Sequence, residues 1–362
     1  MLNAAKETAG RHSQGASSPL SKPSSKPLSK PLSKPSSKPS SKPSSKPAPS
    51  VGVRFTQPLA LDHVRGIYVS PAAMNPKGAR HLFTFMKTHG LNAMVIDVKD
   101  DHGVVRLGPR MQRMVRSLRY QHVYLIARIV VFKDPTLART HPAWAIRRSS
   151  GGTWTQKGVP WVDPYRIPVW KYNVDIAKRA RQVGFDEIQW DYVRFPDATP
   201  KMYRSAVFAN PNGVTKSNDI RAFLQYARRN LPNTRISADV FGLVTTASDD
   251  MGIGQVWEKM SPYVDVLSPM MYPSHYGHGI YGLRVPESQP YATVRHGLLD
   301  ALARNRQLQK KGYHTAILRP WLQDFDMRVP YGRTDVMAQI RAARQLGVTD
   351  YLLWNQGARY SP

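Results

Sequence analysis

The chain of 362 residues is 41% hydrophobic, enough for a sizeable core in one large domain or two ordinary ones, and it contains no cysteine. The missing thiols exclude disulfides, thiolate metal sites and a cysteine nucleophile. The net charge is +28, of which the first fifty residues account for +8 and residues 51–362 for +20. This charge favours anionic partners, namely acidic polysaccharide, phosphate-bearing envelope polymers, a membrane surface or nucleic acid, but scattered surface charge on a soluble enzyme explains it equally well.

The first segment of the chain is a low-complexity tail. From Ser21 to Pro47 a Ser-Lys-Pro unit recurs every four residues. Prolines at that spacing remove backbone donors and the spaced lysines repel one another, which predicts a disordered, extended tether over residues 1–50 and a separate domain over residues 51–362. A solvated spacer is the simplest interpretation of the tether, and contact with an anionic envelope or wall polymer is the alternative.

The N-terminal sequence shows no targeting segment. Residues 1–15 lack the apolar stretch of a signal peptide, and no run of about 18 apolar residues predicts a transmembrane segment. The sequence therefore leaves the localisation open. A Lys/Pro/Ser-rich tether resembles the linkers of envelope-associated proteins, which suggests an extracytoplasmic location.

Beyond residue 62, short β-branched or aromatic runs alternate with longer amphipathic stretches, the pattern of βα units around a parallel sheet. Eight strands are predicted, at Arg65–Ser70, Ala93–Lys99, Val123–Val131, Glu187–Phe195, Arg235–Gly242, Val264–Tyr272, His314–Trp321 and Asp350–Asn355. Helical spacing between them predicts helices at 79–89, 169–183, 218–231, 252–261, 290–310 and 333–347, with a weaker one near 111–120. The prediction is a (β/α)8 TIM barrel; a doubly wound open sheet is the alternative, but no Gly-x-Gly-x-x-Gly follows a strand.

The predicted fourth strand delivers a carboxylate to the rim where the reactive groups of such barrels lie. Asp191 is flanked there by two aromatic residues and by Arg194, which either favours its ionised form or forms only a structural pair with it. Asp239 ends the next strand in a more apolar setting. Glycoside cleavage needs two carboxyl groups across the scissile bond, and neighbouring strands can bring these two to the separation of a retaining site. Asp191 is predicted as nucleophile and Asp239 as acid/base, with exchanged roles or an acid from strand 6 or 7 as alternatives.

Further polar and aromatic residues fall at the predicted strand ends and are candidate substrate contacts. Sugar rings pack on aromatic faces and hydrogen-bond to polar groups at the wet edge. For each aromatic residue alone, packing in the core is the more common role, and for a rim carboxylate a helix cap or a strand-end ion pair is the alternative. The candidates are Asp97, Lys99, Tyr192, Arg194, Tyr272, His275, Trp321, Asp324, Trp354 and Asn355.

Other chemistries have weaker support in the sequence. There is no His-Glu-x-x-His, no Gly-x-Ser-x-Gly and no phosphate-binding Gly-Lys-Ser/Thr loop, and the pair His275 and His278 is a poor zinc pattern. Lys99 is a Schiff-base candidate only if buried, and pairing with a neighbouring carboxylate is the better interpretation. No metal and no cofactor is therefore predicted.

Five motifs carry a family resemblance over roughly residues 64–360. They are Gly-Ile-Tyr-Val-Ser (66–70), Val-Ile-Asp-Val-Lys-Asp-Asp (95–101), Trp-Asp-Tyr-Val-Arg-Phe-Pro (190–196), Ser-Ala-Asp-Val-Phe-Gly (237–242) and Ser-Pro-Met-Met-Tyr-Pro-Ser-His-Tyr (268–276). Together they resemble a bacterial glycoside hydrolase family that is a distant relative of α-amylase-type barrels. The resemblance implies an eight-stranded barrel with a strand-4 aspartate nucleophile at Asp191. Amylase-type enzymes usually place a glutamate on strand 5, where this chain has Asp239.

The sequence thus predicts a glycoside hydrolase acting on a polysaccharide or oligosaccharide, with an anionic or amino-sugar polymer suggested by the charge. A non-catalytic carbohydrate- or wall-binding barrel is the alternative, in which the rim carboxylates are structural. A nucleic-acid binder is suggested by charge alone, and because no nucleic-acid-binding module is recognisable, nucleic acid is not a predicted partner.

Overall fold

The computed structural model describes residues 59–361, so the predicted tether and the domain boundary at residue 51 lie outside the described residues. Its central sheet closes on itself, because the first strand pairs in parallel with both the second strand and the last. Gly66 of the first strand is opposite Leu352 of the last. All the pairings around the ring are parallel. The strands are β1 Arg65–Val69, β2 Ala93–Lys99, β3 Tyr124–Val130, β4 Glu187–Asp191, β5 Arg235–Phe241, β6 Val266–Met271, β7 in two parts Ile317–Leu318 and Trp321–Gln323, and β8 Tyr351–Trp354.

Helices connect these strands and cover the outside of the ring. They are α1 Pro76–Thr88, α2 Pro109–Tyr120, α3 Pro135–Thr140, α4 Ile167–Val183, α5 Pro200–Tyr203, α6 Lys216–Asn230, α7 Trp257–Met260, α8 Pro290–Lys310 and α9 Arg333–Gln345. The predicted (β/α)8 TIM barrel is confirmed. Within residues 59–361 there is no helix with the length and apolar character needed to cross a membrane.

Three predicted boundaries differ from the observed ones for identifiable backbone reasons. Strand β4 stops at Asp191 because Tyr192 adopts a left-handed conformation, with φ of 48°. Pro320 has no amide hydrogen for the sheet and separates the two parts of β7. The predicted helix at 252–261 shrinks to α7, because Gly252 and Gly254 take φ values of 70° and 84° and cannot continue a helix.

A buried ion pair fills the barrel interior beneath the rim. Glu187, the first residue of β4, accepts hydrogen bonds from Arg319, which lies between the two parts of β7, and both side chains are fully buried. The Tyr124 hydroxyl on β3 donates to the same carboxylate at 3.0 Å, and the Ser237 hydroxyl on β5 does so as well. Burial alone would raise the pKa of Glu187, but the charge of Arg319 lowers it. The network joins four strands and stabilises the barrel interior directly beneath the rim residues.

Candidate functional site

Two carboxyl groups lie side by side at the carboxyl end of the barrel. Strands β4 and β5 pair in register as far as Trp190 and Ala238, and the next residue on each strand is Asp191 and Asp239. Neighbouring strands are about 4.8 Å apart, so equivalent positions bring the two side chains close together. Both are buried, with 6% of Asp191 and 2% of Asp239 exposed, which makes the partners of each carboxyl group decisive.

Arg128 on β3 is the cationic partner of Asp191. Its Nε lies 2.9 Å from Asp191 Oδ2, and its Nη2 also bonds that oxygen. Its Nη1 reaches Asp97 Oδ1 on β2 at 2.6 Å, so one guanidinium joins two carboxylates. Burial would lower the pKa of Arg128, but the charges of Asp97 and Asp191 raise it well above its ordinary value. These charge-assisted hydrogen bonds hold the Asp191 side chain in position.

Arg194, which the sequence placed beside Asp191, has other contacts. Its guanidinium lies over the rings of Tyr192, Trp161 and Phe241 at 4.8, 5.3 and 4.6 Å from their centroids. It donates to the carbonyl oxygen of Phe195 at 3.0 Å and is 8% exposed. The charge of Asp191 still acts on it, but Arg128 makes the direct ion pair. Arg194 therefore stiffens the loop after β4.

Asp97 is held from two sides at the rim. In addition to Arg128, the Tyr68 hydroxyl on β1 donates to Asp97 Oδ2 at 2.7 Å. Tyr68 packs against Trp354 at 4.2 Å between ring centroids, and Arg128 lies 5.4 Å from the Trp354 ring. Burial raises the pKa of Asp97, and the charge of Arg128 opposes that rise. The partly exposed Trp354 thus borders the Asp97 and Arg128 pair.

Asp239 has a neutral hydrogen-bond partner instead of a cation. The Trp321 indole donates from Nε1 to Asp239 Oδ1 at 2.8 Å. Burial, followed by the charge of Asp191, raises the pKa of Asp239 well above its ordinary value, while the Trp321 hydrogen bond lowers it. Burial and the charges of Asp239 and Asp191 likewise raise the pKa of the neighbouring Tyr272. Asp239 therefore holds a proton at a pH where an ordinary carboxyl group has lost it.

Replacement of Asp239 by asparagine is expected to stabilise the protein increasingly as the pH rises. The folded wild type keeps the Asp239 proton while the unfolded chain releases it near pH ~4, so the folded state binds more protons and its stability falls with pH by up to about 1.4 kcal/mol per unit. Asparagine has no proton to lose and still accepts from Trp321. Urea unfolding of both proteins between about pH 5 and pH 8 measures the difference. A difference that does not change with pH would contradict the assigned protonation.

Tyr192 and Lys133 border the carboxylates at the start of two rim loops. The left-handed Tyr192 turns its backbone N–H onto Asp191 Oδ1, at 2.6 Å. Lys133 lies 5.0 Å from the centre of the Tyr192 ring and pairs with Asp101 at 2.7 Å. A strained backbone at a functional residue is a frequent feature of active sites. Here the Tyr192 N–H and the Arg128 guanidinium together provide a hydrogen-bond donor to each carboxylate oxygen of Asp191.

Tyr272 and His275 lie on the opposite side of the mouth, after β6. Their rings meet edge to face at 5.3 Å, and the exposed His275 imidazole also bonds the Ser274 hydroxyl at 3.0 Å. Tyr272 belongs to the cluster that fills the barrel interior, together with Trp321. His275 is thus open to a bound ligand, and Tyr272 lies near the two carboxyl groups.

Lys99 points away from the barrel interior. A β-bulge between Asp97 and Lys99 shifts the register of β2, so Lys99 turns outward toward α4. Its ammonium pairs with Asp134 at 2.7 Å and donates to Asn173 at 2.8 Å, and the side chain is fully buried. Burial lowers its pKa, and Asp134 opposes that change. Lys99 therefore has a structural role and does not reach the rim.

Asp324 and Asn355 hold the C-terminal segment. Asp324 accepts from the Ser361 backbone N–H at 3.0 Å and from its hydroxyl at 2.8 Å. Asn355 accepts from the backbone of Gly357 at 2.9 Å and donates to the Asp324 carbonyl. These contacts satisfy both side chains internally. Their position at the rim reflects packing of the chain end across the barrel and not an open binding surface.

The arrangement can perform acid–base and nucleophilic chemistry. Asp239, whose pKa is raised, stands beside Asp191, which an arginine and a backbone N–H hold in place. Such pairs, whose surroundings separate their protonation states, are typical of acid and nucleophile assignments. In the part of the chain from residue 59 to 361, no group of three or more His, Asp and Glu side chains is arranged to hold a metal ion.

Comparison with known proteins gives a family and a fold. The model of the family described as "Putative glycosyl hydrolase domain" matches residues 66–360. No curated protein matches the chain. A hypothetical protein from Ruminiclostridium thermocellum is 31% identical, with 52% of this chain and 99% of that one covered and a TM-score of 0.44.

Two enzymes of known structure are more distant. The catalytic domain of a β-amylase from Paenibacillus polymyxa is 11% identical, with 83% of this chain and 94% of that one covered and a TM-score of 0.52. An α-galactosidase from Thermus thermophilus is 12% identical, with 86% of this chain covered and a TM-score of 0.50. The chain spans 62% of the length of that galactosidase. At these identities the likeness shows the shared barrel fold.

Proposed function

We propose that this chain, which belongs to the glycosyl hydrolase domain family, cleaves the glycosidic bonds of a polysaccharide or oligosaccharide with Asp191 and Asp239. The proposal is carried by two buried carboxyl groups on adjacent strands, of which Asp191 pairs with an arginine and Asp239 has an indole donor and a raised pKa. Glycoside hydrolysis needs one carboxylic acid and one carboxylate on either side of the scissile bond. The two residues supply this combination on adjacent strands.

The proposed reaction proceeds with retention of configuration. Asp239 donates its proton to the leaving glycosidic oxygen while an Asp191 oxygen attacks the anomeric carbon, which forms a glycosyl ester and releases the first sugar product. Asp239, now ionised, takes a proton from water, and the water oxygen breaks the ester and frees Asp191. Adjacent strand positions about 4.8 Å apart fit the ~5–5.5 Å separation of carboxyl groups in retaining sites and not the wider spacing of inverting ones.

Aromatic residues around the carboxyl pair are the proposed sugar contacts. Trp354 after β8 and Tyr192 after β4 are partly exposed at the mouth, and Tyr272 and His275 follow β6. Their faces can pack against the apolar faces of sugar rings. Trp321 is 1% exposed and acts through its hydrogen bond to Asp239, so we propose it as a positioning residue. Asp97, opposite Arg128 on the neighbouring strand, orients the guanidinium.

Removal of the Trp321 indole donor tests the role of Asp239. A titrating acid and carboxylate give turnover a bell-shaped pH dependence, whose alkaline limb reports the acid. In Trp321→Phe the Asp239 carboxylate loses a donor that lowers its pKa, so the alkaline limb is expected to move to higher pH with reduced kcat. The readout is kcat against pH on a soluble oligosaccharide.

The matched control is Trp257→Phe. The Trp257 indole donates to Asn305 at 2.8 Å, and both residues lie on the helices outside the barrel. That variant is expected to keep the wild-type pH profile. An unmoved alkaline limb in Trp321→Phe, or a flat profile in the wild type, would remove Asp239 as the acid.

The tether remains a prediction outside the described residues. Contact between its lysines and an envelope or wall polymer would keep the barrel near a polymeric substrate, and we propose it as the partner of the tail. An extracytoplasmic location belongs to the same proposal.

A further inference from the structure

Charge is distributed unevenly around the carboxyl end of the barrel. The loops after β3 and β4, residues 131–166 and 192–215, together hold nine Lys/Arg and three Asp. The loops after the six other strands hold four Lys/Arg and seven Asp/Glu; these are residues 70–75, 100–108, 242–256, 272–289, 324–332 and 355–361. By residue count the loops after β3 and β4 are strongly basic, and the other loops are not; three of the acids in the other loops, Asp100, Glu287 and Asp324, are buried.

The acids within the two basic loops do not neutralise the exposed cations. Asp134 is buried and pairs with Lys99, and the buried Asp163 accepts from the backbone of Ala209 at 2.6 Å. Only Asp197 is an exposed acid of these loops. Six cations of the loops are exposed and form no ion pair with any residue from 59 to 361: Arg139, Arg147, Arg148, Lys157, Lys201 and Arg204.

Three of these arginines lie together where the two loops join. Arg147 and Arg148 form a short antiparallel ladder with Val207 and Ala206. The next residue, Ser149, bonds the carbonyl of Ser205, the neighbour of Arg204, at 2.9 Å. We call Arg147, Arg148 and Arg204 the arginine ribbon. None of the three forms an ion pair with a residue that the structure describes.

The ribbon belongs to the same side of the mouth as Asp191. Trp161, in the loop that carries Arg147 and Arg148, packs on Tyr192 with 5.9 Å between ring centroids, and Tyr192 directly follows Asp191. The backbone of Ile146 bonds the carbonyl of Trp161 at 3.1 Å, which ties the ribbon to that contact. A polymer chain that passes over Asp191 toward β3 therefore meets this basic side.

We propose that the substrate is an anionic glycan, and that its carboxylate or phosphate groups lie on the arginine ribbon while the scissile bond lies at the carboxyl pair. The inference rests on the proposed hydrolysis and adds the substrate class. Guanidinium groups bind both carboxylate and phosphate oxygens in a bidentate manner, so either anion satisfies the ribbon. A neutral glycan gains nothing from six unpaired cations.

The test compares two triple variants of the full chain with the same change in net charge. In the ribbon variant Arg147, Arg148 and Arg204 become glutamine; in the control the exposed helix residues Arg113, Arg116 and Arg306 become glutamine. Both keep the basic tail and every residue of the carboxyl pair. Calorimetric titration measures binding to polygalacturonate, to its fully methyl-esterified form, to a poly(glycerol phosphate) teichoic acid and to single-stranded DNA.

The wild type is expected to bind polygalacturonate or the teichoic acid, with an affinity that falls as salt increases, and the neutral ester at least about tenfold more weakly. The ribbon variant should lose about tenfold in affinity and the control less than about twofold. The polymer that binds identifies carboxylate or phosphate as the anion. Equal losses in the two variants, equal binding of the neutral ester, or tighter binding of DNA would overturn the proposal.

Binding and turnover are separate readouts in this design. Anion binding that the ribbon variant loses and the control keeps, without release of reducing ends, would support the ribbon as the anion site. The same result would count against hydrolysis. Hydrolysis of a neutral glycan by both triple variants at the wild-type rate would support hydrolysis and overturn the anionic substrate class.

Discussion

Replacement of Arg128 by methionine is expected to lower the free energy of unfolding by about 3–5 kcal/mol and to abolish most turnover. Arg128 is the cation that offsets Asp97 and Asp191, both of which are buried at the rim. Without it the two carboxylates repel each other in a poorly solvated site, and one of them must take up a proton. The nucleophile would then be present in the wrong protonation state. Urea unfolding and kcat at neutral pH measure the two effects.

Arg106→Met is the matched control for this variant. Arg106 also pairs with an aspartate, Asp100, at 2.7 Å, but its side chain is 31% exposed. Because a partly exposed arginine is better solvated than a buried one when its pair is lost, that change is expected to cost about 1 kcal/mol and to leave kcat within about twofold. Similar losses in the two variants would mean that Arg128 acts as an ordinary surface pair and would refute its assigned role.

Asp191→Asn is expected to reduce kcat by at least about 10³-fold while the affinity for the glycan stays within a few-fold. Asparagine keeps the shape and one of the two acceptor oxygens, but its amide is a poor nucleophile toward an anomeric carbon. The further variant Asp191→Ala opens space beside that carbon. Added azide should restore part of its turnover and yield a glycosyl azide of inverted configuration, because an external nucleophile replaces the missing carboxylate.

Asp197→Asn serves as the control, since Asp197 is an exposed acid six residues later in the same loop. It should retain wild-type turnover. If Asp191→Asn keeps full activity, the carboxylate is structural. If azide instead yields the inverted glycosyl azide with an alanine variant of Asp239, and not with Asp191→Ala, the two residues have exchanged roles.

The barrel could be predicted from the sequence because its strands and helices have clear and different periodicities. The partner of Asp191 could not. Arg128 is a single basic residue in the otherwise apolar strand Tyr-Leu-Ile-Ala-Arg-Ile-Val. The only sign that it enters the barrel is its position two residues after Ile126, which puts both side chains on the same face of the strand. Arg194 is close to Asp191 in sequence, but it follows a left-handed residue that turns the chain away.

Lys99 and Asp324 show two further limits of sequence reasoning. Strict alternation from Asp97 places Lys99 inside the barrel, but the bulge between them reverses its direction. Asp324 ends a strand, as a catalytic residue would, but it bonds Ser361 near the end of the chain. Contacts between residues far apart in the sequence decide both cases. Asp191 and Asp239 are predicted from the sequence as a pair on neighbouring strand ends, and the register of β4 and β5 in the structure puts them at the same level.

The most direct test of the central claim is the release of reducing ends by the full chain from a panel of neutral and anionic polysaccharides. We predict release from at least one anionic glycan by the wild type, none above background by Asp191→Asn or Asp239→Asn, and binding of that glycan by all three proteins. Equal release by the wild type and both variants would contradict catalysis by this pair. Binding by all three without release by any would make the barrel a carbohydrate-binding protein.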